Sequence, residues 1–118
     1  MAANNSTKFT KLDKVDINSH IYRIIEEKNP ILDGETVDGF CDYSKYEITL
    51  KQSLALEKYI HIFMHEVVHA MEMAYDCPLD DEDEEIRNHK VDIIAQAIIS
   101  FIRLNKKAVA MVSESYDK

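Results

Sequence analysis

From Asp16 to Lys28 the apolar residues Ile17, Ile21, Ile24 and Ile25 recur at three- and four-residue spacing, and Asn29-Pro30 ends the run. That period predicts a helix with one apolar face. Gly34 and Gly39 bracket a short stretch with turn signals. Phe40-Cys41-Asp42-Tyr43 and Tyr46-Glu47-Ile48-Thr49-Leu50, separated by Ser44-Lys45, predict the two short strands of a hairpin. Between Ser53 and Tyr75 there is neither glycine nor proline, and Leu56, Ile60, Phe63, Val67 and Val68 recur on one side of a long helix that Cys77-Pro78 breaks. A last helix is expected to begin in the acidic run Asp80 to Glu85, where carboxylates suit the positive end of the helix dipole. It continues through Ile86, Val91, Ile94, Ala95, Ile98, Ile99 and Ile102 to about Asn105. Residues 1–9 are polar and expected to be frayed. Residues 106–118 are expected to add a turn of helix and then trail off. The elements predict one α+β, mainly helical domain over residues 10–105: an N-terminal helix, a short hairpin or small sheet, a long helix and a packed last helix.

Composition narrows the classes. A chain of 118 residues has room for one ordinary core, and 46% apolar residues suffice to fill it. Two glycines and two prolines argue against a turn-rich sandwich or barrel. The formal charge of −8 supplies no basic footprint for a phosphate backbone, so nucleic acid is not an expected partner. No apolar run approaches the roughly 18 residues that span a bilayer. Cys41 and Cys77 are too few for a disulfide scaffold, and the first residues lack the character of a signal peptide, so a reducing cytoplasm is the expected setting.

The chemistry lies in the long helix. His65 and His69 in His65-Glu66-Val67-Val68-His69 are four positions apart, one turn apart on one face, so both imidazoles can hold one tetrahedral ion. Glu66 can then act as general base toward a water whose pKa zinc lowers to about 7. His61 lies roughly 12 Å from His69 along the axis and cannot share that ion. A third protein ligand is needed. The longer metzincin motif is excluded, because Glu72 and Tyr75 occupy the places of its glycine and third histidine. The last helix remains as the source. Its polar members Glu85, His89, Asp92 and Gln96 share a face, which makes His89 and Asp92 the expected ligands, with Glu85 behind them. Asp92 can alternatively orient a ligand histidine. Tyr46, Tyr59 and Tyr75 are candidate hydrogen-bond donors with nothing to choose between them.

These residues resemble the small gluzincin-like HExxH metallopeptidases of phages and mobile elements, distant relatives of the ImmA/IrrE family. The likeness rests on the strand pattern Tyr46 to Leu50, on Phe63-Met64-His65-Glu66-Val67-Val68-His69-Ala70, and on Val91-Asp92-Ile93-Ile94-Ala95 through Ile102-Arg103-Leu104-Asn105. It covers about residues 40–105. The resemblance implies a minimal zincin-like fold around one Zn2+ and hydrolysis of peptide bonds in a protein substrate, in ImmA-type members a repressor-like regulator. It also implies an acidic third ligand early in the last helix. Alignment on Val91 puts Asn88 there and Asp92 one turn later, so either His89 or Asp92 takes over or affinity is lost. The competing expectation is a non-catalytic, acidic regulatory protein on the same scaffold that engages a basic partner.

Overall fold

The computed structural model describes residues 11–79 and 83–116. The expected frayed stretch 1–9 and the acids 80–82 lie outside them. The elements are β1 (Lys14–Ile17), β2 (His20–Glu27), β3 (Ile31–Leu32), β4 (Glu35–Thr36), β5 (Gly39–Asp42), β6 (Glu47–Lys51), α1 (Leu56–Ala74), α2 (Glu84–Leu104) and α3 (Lys106–Tyr116). The class is α+β as the pattern predicts. A four-stranded sheet of order β1-β2-β6-β5 is joined by a separate β3-β4 pair. Within the larger sheet β1 and β2 are antiparallel, β2 and β6 parallel, and β6 and β5 antiparallel.

The predicted N-terminal helix is instead the hairpin β1–β2. Ile17 and Tyr22 are buried while Ile21 is 46% exposed, a period of two set by the strand and not by the helix. Asn18 and Ser19 form its two-residue turn with φ of 51° and 71°, the left-handed geometry that matches strand twist. Asp16 Oδ1 accepts from Ser19 N at 2.7 Å and fixes that turn. β-Branched Val15, Ile17, Ile24 and Ile25 favour the pleated surface, where their stiff side chains pack without crowding a helical turn.

The second hairpin falls where expected. Asp42 Oδ1 accepts from Ser44 N, Ser44 Oγ and Lys45 N, and Tyr46 takes a left-handed φ of 55° to bring β6 back beside β5. Ile48 and Leu50 of β6 are fully buried and meet Ile17, Tyr22 and the α1 residues Tyr59, Val67 and Ala70 in the main core. A second, smaller core joins the helices through Val68 of α1 and Val91 and Ala95 of α2. α1 therefore lies between sheet and α2, with its histidine face at the seam.

The end of that seam where α1 leads into α2 is fastened. Asn18 Nδ2 donates to the Ala74 carbonyl at 2.9 Å, so the first hairpin satisfies one of the open carbonyls at the end of α1. Asp83 caps α2 by accepting from Glu85 N and Ile86 N. Asn105 interrupts the last helix, and the expected tail is the eleven-residue α3. Among the described residues no helix is long and apolar enough to cross a membrane. Cys41 and Cys77 are both free.

Candidate metal centre

The i, i+4 spacing brings His65 and His69 edge to face, with Nε2 atoms 3.2 Å apart. Each ring's other nitrogen meets a carboxylate: His69 Nδ1 lies 3.0 Å from Glu72 Oε2, and His65 Nδ1 lies 3.3 Å from Asp92 Oδ1. A carboxylate accepts, so a neutral imidazole at either place is favoured with its proton on Nδ1, the tautomer that leaves Nε2 free to bind a metal. Burial, then the neighbouring His65, lowers the pKa of His69, while Glu72 and Asn88 oppose the shift. The neutral imidazole is the form that binds metal.

Asn88 of α2 brings its side-chain oxygen Oδ1 to 3.2 Å from His69 Nε2. His69 Nε2 thus lies 3.2 Å from both His65 Nε2 and Asn88 Oδ1. A tetrahedral ion with ligand bonds of about 2.0–2.1 Å separates its ligands by about 3.3 Å, which matches the spacing found. Two imidazole nitrogens and an amide oxygen at this spacing can serve as donors to a cation. His89 and Glu85 instead line the adjoining recess, and Asp92 reaches the Nδ1 side of His65. The structure therefore brings Asn88, and not His89 or Asp92, to His69 Nε2, while Asp92 faces His65 Nδ1 in the orienting position. His61 pairs with Glu57 at 3.3 Å, away from the centre, as its spacing requires. Among the described residues no cluster of three or more His, Cys, Asp or Glu side chains is placed to hold a metal ion.

Glu66 is 7% exposed and opens onto the cleft. Burial pushes its carboxyl up to about 7. Cys41 lies beside it on β5, and burial, followed by the charges of Glu66 and Asp42, pushes the thiol up to about 12. Tyr43 lines the same wall, and burial also pushes its hydroxyl up to about 12. Both side chains stay protonated at neutral pH, so Tyr43 offers an O–H donor. The cleft holds about 420 Å³ and continues past His65 into the recess beside Asp38, Glu85 and His89. Of the three candidate tyrosines, Tyr59 donates to Glu26 at 2.8 Å, Tyr46 packs on His20 and Tyr22, and Tyr75 ends α1 in solvent.

Asn88 stands where the resemblance implies a third ligand, and Asn88 and Asp92 share the four-residue spacing of His65 and His69, whereas Glu72 and Tyr43 are not singled out as site residues by the sequence. Glu72 stood out only as a departure from a longer motif, while its i+3 spacing from His69 already put both on one face. Tyr43 carried no distinguishing signal. No protein family, curated protein or solved structure matches the chain.

Proposed function

We propose that this chain is a zinc-dependent peptidase in which His65, His69 and Asn88 hold the ion and Glu66 is the general base. The observation that carries the reading is His69 Nε2 lying 3.2 Å from both His65 Nε2 and the amide oxygen of Asn88, beside the buried Glu66. When bound, zinc supplies Lewis acidity, polarising a carbonyl and making water a nucleophile near neutral pH. Glu66 would accept a proton from an attacking water, and burial pushes its carboxyl up to about 7, close to the pH at which a general base is effective. The carboxylates of Glu72 and Asp92 hold the two imidazoles in the tautomer that leaves Nε2 open. Tyr43 lines the same cleft and keeps its proton, so it is the candidate O–H donor to a carbonyl oxygen that gains charge.

The cleft beside β5 accommodates an extended polypeptide, and the resemblance to mobile-element peptidases supports a regulatory, repressor-like protein as substrate. The two free thiols support a cytoplasmic setting. One observation favours a second reading, a non-catalytic acidic protein engaging a basic partner: Asn88 is a neutral and weak zinc donor.

Metal content of untagged protein tests the proposal. About one zinc per chain in the wild type is expected, with loss in His65→Ala and Asn88→Ala and retention in His89→Ala. A wild-type protein that stays metal-free after incubation with zinc refutes it. A zinc-loaded protein whose biological effect survives Glu66→Gln supports the second reading.

A further inference from the structure

Glu72, like Glu66, is an enclosed charged residue near the centre. Its carboxyl group is 6% exposed, against 54% for Asp92, although both face a ring nitrogen of a motif histidine. Each of its oxygens is engaged. Oε2 accepts from His69 Nδ1 at 3.0 Å, and Oε1 accepts from Leu79 N at 2.9 Å with Arg87 at 3.5 Å. Leu79 belongs to the connection between α1 and α2, and Arg87 precedes Asn88. One carboxylate thus touches a metal donor, the connection between the helices, and the neighbour of the opposing donor.

We infer that Glu72 is a positioning residue that supplies, through His69, the negative charge that the neutral third donor Asn88 lacks. This rests on the metal-site reading above. Two imidazoles and an amide leave a dication uncompensated, and Glu66 is reserved for proton transfer. A carboxylate enclosed in a region of low dielectric acts on its neighbour far more strongly than one in solvent. Polarising the Nδ1–H of His69 makes its Nε2 a better donor, and the bond to Leu79 N prevents Glu72 from turning away. Asp92, half in water, contributes mainly orientation.

The test is a double-mutant cycle on zinc affinity, measured by competition with a chelator, with the cobalt-substituted absorption band as a spectroscopic check. Glu72→Gln keeps the shape and removes the charge. It is expected to weaken zinc by about 10- to 100-fold, while Asp92→Asn costs several-fold less. Asn88→Asp returns a negative charge at the opposing donor. It is expected to restore most of the lost affinity in the Glu72→Gln background, which repair of a merely structural defect would not achieve. Arg87→Gln provides a second arm if Glu72→Gln does not fold. Removing the competing cation is expected to tighten zinc a few-fold, and weaker binding there overturns the inference. Wild-type affinity in Glu72→Gln, or no rescue by Asn88→Asp, overturns it while leaving the metal site standing. A wild-type chain that binds no zinc removes both.

Discussion

Glu66→Gln should stabilise the metal-free protein above neutral pH, because the buried carboxylate is held against its own solvation. Its carboxyl titrates near its ordinary 4.5 in the unfolded chain and is pushed up to about 7 in the folded one. At about 1.4 kcal/mol per pH unit, that difference costs the ionised folded form about 3 kcal/mol. The sign follows from which state binds the proton more tightly. Below about 4.5 both states are protonated and the penalty is absent. It grows as pH rises and is complete above about 7, so this group makes the wild type lose stability across that window. Glutamine has nearly the same shape and no charge to desolvate. Urea unfolding in the presence of a chelator, at intervals from pH 4.5 to 8.5, should show the two proteins diverging through that window. With a slope near 1.5 kcal/mol/M for a chain of this size, the midpoints should differ by about 2 M at the alkaline end. Equal midpoints at pH 8, or a gap that does not change with pH, would refute the claim that burial without compensation governs Glu66.

The remaining predictions concern the frame of the site and are read by the same unfolding assay. Asn18→Ala removes the donor to the Ala74 carbonyl and puts a less tolerant residue at φ 51°, so it should cost about 1–2 kcal/mol; Asn18→Gly, which relieves only the strain, should cost less. Gly39→Ala places a methyl group 2.8 Å from Ile62 Cγ2 and 3.0 Å from the Thr49 carbonyl oxygen, and should cost about 1–3 kcal/mol as β5 shifts against α1. Ile48→Ala opens a cavity under a side chain with no exposed surface and should cost about 2–5 kcal/mol at every pH.

The sequence pattern resolved most clearly where one face alone had to be buried over many residues. α1 and α2 were legible because long glycine- and proline-free runs carried a helical period, and β5–β6 because turn residues separated two short apolar stretches. The β1–β2 hairpin was not legible. Ile17, Ile21, Ile24 and Ile25 satisfy a helical period as well as Ile17, Tyr22 and Ile24 satisfy a strand, and the deciding feature is the left-handed turn at Asn18-Ser19. His65, Glu66 and His69 were readable because their spacing is local to one helix. Glu72 was not, since its role depends on how the connection between the helices folds back through Leu79, and Asn88, which the resemblance aligns with a third ligand, owes its contact with His69 to how α2 is docked. Donor strength ranked His89 above Asn88, whereas the rotation of α2 about its axis, set by Val91 and Ala95, turned Asn88 toward the histidines.

The parallel pairing of β2 with β6 imposes an order of assembly. β5, β6 and α1 are consecutive, and β1 and β2 form a hairpin of their own, so each unit can form from contacts close in sequence. Joining them requires Glu27 and Lys51 to come side by side in the same direction, a closure over about two dozen residues that no short turn provides. Docking of the first hairpin onto β6 is therefore expected to be slow relative to the formation of either unit. His65 and His69 travel together on α1 and face each other as soon as that helix forms, whereas Asn88 arrives only with α2. Zinc added during refolding should thus leave the early, local phases unchanged and alter the step in which α2 closes over the histidine face.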